Sequence, residues 1–179
     1  MPEWVLKAAA LVAVIVVFAG LALLREGTRT ASLREAVARH GFLLQIPYLP
    51  AEHPPIVSLA KALDGRSAFL WSPRWGAGMT GVVDGRAITI AEHEVPALTM
   101  NHSTPKWHSM LVWPVEGNGE ATDALMTAFR ARQPEARLTR DGPWAALRLE
   151  GKLDPARIDS LLTLWRAVVR LPAPPSPSD

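Results

Sequence analysis

The hydrophobic pattern of the chain is most continuous at its N-terminal end. Residues 8–24 (AAALVAVIVVFAGLALL) contain no charged or strongly polar side chain, and residues 4–6 add three apolar positions before Lys7. A helix of about 21 residues is about 31 Å long, which matches a hydrocarbon core of about 30 Å. Lys7 can extend its ammonium group to the lipid head groups. The pattern therefore predicts a transmembrane anchor over residues 1–24.

The same segment has two other interpretations. A buried core helix is disfavoured, because a core helix is normally amphipathic and this one is apolar on every face. A cleaved signal peptide followed by secretion is an alternative, since Gly20-Leu21-Ala22 is a small-x-small triplet. The apolar run continues through Leu23 and Leu24 beyond that triplet, so a retained single-pass anchor is favoured.

Basic residues flank the apolar segment unequally. Lys7 lies near its start, whereas Arg25, Arg29, Arg34 and Arg39 follow it. The positive-inside rule places the side richer in Lys and Arg in the cytoplasm. We therefore expect a protein of the cell inner membrane whose C-terminal domain is cytoplasmic, with the periplasmic side as the alternative.

Helix signals follow the anchor. Residues 25–31 are predicted to form a juxtamembrane linker. Ser32-Leu-Arg-Glu35 is a capping box, which predicts a helix that begins at Ser32 and ends at Gly41. Apolar residues at helical spacing predict further helices over residues 56–63, 120–132 and 155–169.

Short apolar and alternating runs predict a sheet. Residues 79–83 and 86–91 flank an Asp-Gly dipeptide and predict an antiparallel hairpin. Helices and strands are mixed without regular βαβ alternation, so the fold class is α+β, with a mainly antiparallel sheet covered by helices on one face. The domain is predicted over residues 32–171, and the Pro-rich residues 172–179 are predicted to be a disordered tail. Further strands are predicted over residues 42–46, 67–71, 107–113 and 144–150.

Composition narrows the classes of function. Lys and Arg number 19 and Asp and Glu 17, and the resulting net charge of +2 argues against binding of nucleic acid by bulk charge. The lack of cysteine excludes disulfides, a thiol nucleophile and a cysteine-ligated metal. We therefore predict no nucleic-acid partner and no cofactor.

Three short motifs resemble those of a known group of proteins. They are Ala38-Arg-His-Gly-Phe42 after the membrane segment, the hairpin glycines Gly81 and Gly85, and a Gly-Lys-Leu-Asp-Pro stretch before the last helix. With them, the chain resembles bacterial single-pass membrane proteins that carry a small α+β domain. The resemblance implies an anchor and this fold, and it supplies no catalytic motif.

Three histidines are the candidates for metal chemistry. His93, His102 and His108 fall within sixteen residues, and imidazole binds Zn²⁺, Cu²⁺ or Ni²⁺. Their spacings match no compact ligand motif, because H-E-x-x-H needs two histidines four residues apart on a helix. Histidines in loops or on the surface are therefore favoured over a metal site.

Tryptophan is the compositional oddity, with seven in the chain. Packing between sheet and helices is its more common role. Trp71-Ser-Pro-Arg-Trp75 could also form an aromatic ledge that binds a ligand or a partner peptide. Trp71, Arg74 and Trp75 are therefore the candidate recognition residues.

Two further patterns have a plainer interpretation. Gly76, Gly78 and Gly81 match the spacing of a G-x-G-x-x-G nucleotide motif, but a hairpin follows where that motif needs a helix, so a tight loop is predicted. A basic zone near an anionic leaflet could contact lipid, although an ordinary solvated surface is more common. That zone consists of Arg130, Arg132, Arg137, Arg140 and Arg148.

Together these patterns favour a membrane-tethered, non-enzymatic domain that binds a partner protein or supports a membrane complex, and the expected partner is a membrane protein. Its lipid contact is the N-terminal helix. The alternative is a small membrane-anchored hydrolase or metal-dependent enzyme that uses His93, His102 and His108.

Overall fold

The longest of the described elements is the N-terminal helix. A computed structural model describes residues 2–50, 54–64, 74–95, 106–115, 127, 129 and 136–169. Its first helix, α1 (Glu3–Arg39), is 37 residues long, and its apolar part is not buried by the protein. By length and composition, α1 can cross a membrane, which is compatible with a single-pass anchor.

Helix α1 continues through residues 25–31, where a linker is predicted, and through Ser32, where a new helix is predicted to begin. The Ser32 hydroxyl donates to the Thr28 carbonyl oxygen at 3.1 Å. The predicted helix start is therefore wrong, because Ser32 bonds back along an existing helix instead of capping a new one. Residues 3–39 contain no proline, and each of the two glycines, Gly20 and Gly27, weakens a helix by only about 1 kcal/mol. Nothing in this sequence stops the helix before Gly41, which takes the expected positive φ of 68°.

The elements that follow build an antiparallel sheet. The elements are β1 (Leu43–Gln45), α2 (Pro54–Asp64), β2 (Arg74–Val83), β3 (Arg86–Val95), β4 (Lys106–Pro114), β5 (Arg137–Asp141), β6 (Trp144–Glu150) and α3 (Pro155–Val169). The described strands form a six-stranded sheet in the order β1-β2-β3-β4-β6-β5, so the predicted α+β class is confirmed. The predicted hairpin joins β2 to β3, and its turn residues Asp84 and Gly85 have φ values of 49° and 77°.

Several predicted segments differ from the structure or lie outside its described part. Strand β5 was not predicted, because Arg-Leu-Thr-Arg-Asp contains one apolar residue and its place in the sheet depends on pairing with β6. The predicted strand over residues 67–71 and the predicted tail over residues 172–179 lie outside the described residues. Of the predicted helix over residues 120–132, the structure describes Thr127 and Phe129, which are both helical.

Helices cover both faces of the sheet, whereas the sequence predicts one covered face. The C-terminal part of α1 and helix α3 pack on the first face, and α2 packs with Tyr48 on the second. Strands β3, β4 and β6 are central, so both of their faces need apolar cover. The first face includes Met79, Ile90, Leu111 and Leu147, and the second includes Ala91, Met110, Val112 and Ala146.

The glycines of β2 are packing sites. Gly78 and Gly81 lie within the strand, so the predicted tight loop is wrong. A Cβ at Gly78 would overlap the ring of Tyr48, and one at Gly81 would overlap the ring of Phe42. Missing side chains in β2 therefore let two aromatic rings approach the sheet, one on each face.

Candidate functional site

A bulge in β2 creates the centre of the candidate site. The register between β2 and β3 shifts between Trp75 and Gly78, which leaves an extra residue on β2. At this point Gly76 has no side chain, and a Cβ there would overlap the carboxylate of Glu92. The bulge also turns the Ala77 amide toward the same carboxylate, to which it donates at 2.9 Å. The local backbone is therefore shaped around Glu92.

Glu92 is a buried acid with a complete set of donors around it. Its side chain lies on the first face of the sheet, which α1 and α3 cover, and the residue is 1% exposed. One carboxylate oxygen accepts from Ala77, and the other accepts from Arg29 Nη2 at 2.5 Å and from the Leu153 amide at 2.7 Å. Three donors, one of them charged, offset the loss of water around the carboxylate.

Arg29 links this acid to helix α1. Its Nε donates to the Leu153 carbonyl oxygen at 3.0 Å, and its Nη1 donates to Glu26 one turn earlier on α1. We call Arg29, Ala77, Glu92 and Leu153 the joint, because they connect α1, β2, β3 and the segment that leads into α3. Removing one partner of such a buried pair typically costs about 3–5 kcal/mol. The joint therefore fixes α1 to the domain.

A cleft of about 440 Å³ opens beside the joint, and we call it the joint cleft. Arg74 Nη1 lies 3.7 Å from Glu94 Oε2, and Lys152 Nζ lies 3.8 Å from Glu26 Oε2. Lys152 Nζ also lies 4.5 Å from the centre of the Trp107 ring. The cleft thus combines both signs of charge with aromatic surface. Its remaining walls include Ile46, Pro47, Trp75 and Gly76.

The predicted recognition residues lie in different surroundings. Arg74 is exposed, and Arg74 and Trp75 both line the joint cleft. The Trp75 ring is half-buried, with its centre 5.7 Å from that of Tyr48 and 5.4 Å from that of His93. Trp71 lies outside the described residues, so a ledge with Arg74 between two rings stays a prediction. Other tryptophans, such as Trp113 and Trp165, are core residues.

The structure brings two of the three predicted histidines together. His93 and His108 face each other across β3 and β4, with ring centres 5.6 Å apart. Both are buried, so their predicted place in loops or on the surface is wrong. Burial lowers the pKa of each to about 4, and the neighbouring His93 adds to the effect on His108. Both imidazoles are therefore neutral at pH 7.

The structure describes only two of the three histidines of the predicted metal site. His102 lies outside the described residues, and within the described part of the chain no group of three His, Asp or Glu residues is arranged to hold a metal ion. Neutral imidazoles are the protonation state that metals bind. The two imidazole rings pack on the sheet face beside Trp75.

The arginines of the predicted basic zone lie in different environments. Arg148 is buried on β6, and burial lowers its pKa. Arg140 donates to the Gly142 carbonyl oxygen at 2.8 Å, and Arg137 is exposed on β5. Arg130 and Arg132 lie outside the described residues. A lipid contact that includes Arg148 is therefore wrong, because its side chain is packed inside the domain.

The sequence pattern does not predict the joint residues as a site. It marks Arg29 only as a charge that flanks the apolar segment, and the pairing of Glu92 depends on a contact 63 positions away in sequence. One local signal exists: in the alternation of β3, Glu92 follows the buried residues Ile88 and Ile90 on the same face of the strand. An acid at an apolar position of a strand indicates a buried partner.

Comparison with known proteins does not supply a function for this arrangement. No protein-family model, no curated protein and no solved structure matches the chain. The function must therefore be argued from the helix, the joint and the cleft themselves.

Proposed function

We propose that this chain is a single-pass membrane protein whose α+β domain is a non-enzymatic binding domain that supports a membrane complex. The observation that carries the proposal is the unbroken course of α1 from its apolar segment into the core of the domain. Leu33, Ala36 and Val37 near its end are buried in that core. The same helix therefore serves as anchor and as structural element.

The exposure of the first part of α1 supports the anchor. Large apolar side chains such as Phe18, Leu23 and Leu24 are more than half exposed. An apolar surface of this extent is unfavourable in water and is expected in lipid. A bilayer covers the apolar surface of α1 that the protein leaves exposed.

The joint supports a binding role at a set position. A flexible linker would let the domain move away from the bilayer, whereas a continuous helix with a buried ion pair holds it close. A domain held near the membrane meets other membrane proteins at a raised effective concentration. The excess of basic residues after the apolar segment favours the cytoplasmic side.

A partner surface is available on the uncovered corner of the sheet. Leu43 and Val82 are 74% and 65% exposed, and the pairing of Leu43 with Thr80 puts both on the same face. Ala87, opposite Val82, is exposed beside them. Exposed apolar groups on a sheet near its edge are typical of a protein–protein contact.

Site-specific crosslinking tests this function. A photoreactive amino acid at Leu43 is compared with the same residue at Thr163, an exposed position on α3, in cells that carry the full-length chain. We expect a crosslinked protein of defined mass at position 43 and none at position 163. Equal crosslinking at both positions, or at neither, would contradict a partner at this corner.

The alternative of a metal-dependent enzyme is tested separately. Elemental analysis of the full-length protein, purified without chelators, measures bound Zn, Cu and Ni. The function proposed here expects less than one-tenth equivalent of each. One equivalent that disappears in His93→Ala would instead favour the enzyme.

A further inference from the structure

The joint cleft opens at the depth of the lipid head groups when the apolar segment spans the bilayer. Glu26 and Arg29, which line it, follow Leu24 by two and five residues, or about 3 and 7.5 Å along the helix axis. The head-group layer of a bilayer is about 5–8 Å thick on each side of the hydrocarbon core. The cleft is fixed at this depth because Arg29 is also part of the joint.

The charges at the rim of the cleft can accept a ligand of mixed charge. The Arg74–Glu94 and Lys152–Glu26 pairs have N–O distances of 3.7 and 3.8 Å, which exceed those of hydrogen bonds. Each of these four groups therefore has donor or acceptor capacity left for a ligand. By contrast, the carboxylate of Glu92 is already held by three donors.

Aromatic surface in the cleft suits the membrane interface. Lys152 Nζ lies 4.5 Å from the centre of the Trp107 ring, so this indole holds the Lys152 ammonium group within the cleft. Trp75 is a second half-buried indole of the cleft. Indole side chains are favoured at the membrane interface, where the ring meets apolar chains and polar head groups together.

We propose that the joint cleft binds the head group of a zwitterionic phospholipid. Arg74 and Lys152 bind the phosphate, while Glu26 and Glu94 bind the ammonium group. A volume of about 440 Å³ lies in the range of small-molecule sites. The rim carries two acids and two bases, so a head group with only negative charge leaves Glu26 and Glu94 without a cation from the ligand, and the cleft prefers a zwitterionic head group. This inference rests on the proposed membrane insertion of α1.

Lipid retention by the full-length protein tests the proposal. The protein in mild detergent receives equal amounts of phosphatidylethanolamine and phosphatidylglycerol with identical acyl chains, and native mass spectrometry counts the lipids that stay bound. We expect one phosphatidylethanolamine per chain and at least ten-fold less phosphatidylglycerol.

Two charge-neutral double variants locate the site. Lys152→Gln with Glu26→Gln and, separately, Arg74→Gln with Glu94→Gln should each lower phosphatidylethanolamine retention about ten-fold. The second variant leaves the joint untouched, so it stays informative if the first one folds poorly.

The matched control removes a similar pair far from the cleft. Arg166 and Asp84 are 40% and 52% exposed, against 42% and 54% for Lys152 and Glu26. Arg166→Gln with Asp84→Asn should leave lipid retention unchanged.

Each other result has a defined meaning. Equal retention of both lipids, a preference for phosphatidylglycerol, or full retention by both cleft variants would overturn the head-group site. Resistance of the wild-type protein to alkaline extraction from membranes is measured in parallel. A chain that resists extraction but shows no lipid preference refutes this inference alone, whereas a chain that is extracted refutes the anchor and the inference together.

Discussion

Glu92 shows how a buried charge is accommodated in this protein. Its carboxylate needs a cation, two backbone amides and a strand position without a side chain, and these come from Arg29, Ala77, Leu153 and Gly76. The Arg29–Glu92 pair lies where helix α1 meets the sheet. Its role is therefore best tested by removing one partner at a time.

Arg29→Met should destabilise the domain by about 3–5 kcal/mol, because it leaves a carboxylate buried without its cation. Adding Glu92→Gln should restore part of that loss, since the neutral amide oxygen still accepts from one backbone amide. Thermal unfolding of the full-length protein in detergent, followed by tryptophan fluorescence, measures both. The control Arg166→Met removes an exposed partner of Asp84 and should cost less than about 1 kcal/mol. A small effect of Arg29→Met would contradict the joint.

The two buried histidines predict a loss of stability in acid. Burial lowers the pKa of His93 from 6.5 to about 4, so between these values the unfolded chain binds a proton that the folded chain does not. Stability is then complete above pH 6.5 and falls as the pH drops toward 4. For His93 alone the loss is about 2 kcal/mol by pH 5.

His93→Gln, which cannot titrate, tests this source of pH dependence. The difference in unfolding free energy between pH 7 and pH 5 should be about 2 kcal/mol smaller in the variant than in the wild type. Denaturant titrations at the two pH values measure it. Identical pH dependence in both proteins would show that His93 does not titrate in this range.

At the scale of elements, helix α1 shows why local end signals can mislead. A capping box predicts a helix start, but it acts only where the preceding residues are not helical. Here residues 25–31 are helical, and Ser32 bonds back to Thr28. Strand β2 is a second example of a misleading local signal. Its three glycines indicate a loop, but they lie in a strand because side chains from other elements occupy the space beside them.

Two glycine substitutions separate these roles. Gly27 lies in α1 with nothing near its Cβ position, so Gly27→Ala should raise stability by up to about 1 kcal/mol. Gly76→Ala should lower stability by about 2 kcal/mol or more, because its methyl group overlaps the Glu92 carboxylate. Melting temperatures of both variants in the same detergent provide the comparison. Equal shifts would contradict a specific role for Gly76.

At the scale of the whole molecule, helix α1 joins a long apolar segment to a sheet that is covered on both faces. Its apolar part is exposed, whereas Leu33, Ala36 and Val37 belong to the core of the domain. In the proposed insertion, the orientation of α1 across the membrane therefore sets the side on which the entire domain lies.

Cysteine labelling tests that orientation without a background signal, because the chain has no cysteine of its own. With the domain in the cytoplasm, Thr163→Cys should react with a membrane-impermeant thiol reagent only after the membrane is opened. Glu3→Cys, at the other end of α1, should react in intact spheroplasts. The opposite pattern would place the domain in the periplasm.

The sequence by itself determined the features that depend on local pattern. The apolar run, the Asp-Gly hairpin and the amphipathic final helix each need only neighbouring residues, and the α+β class follows from their mixture. Only the tertiary structure decided the rest. The joint requires Arg29 and Glu92, which are 63 positions apart, and β5 exists because β6 lies beside it. Contacts between distant residues decide which polar groups are buried, since the sequence pattern does not specify which segments meet.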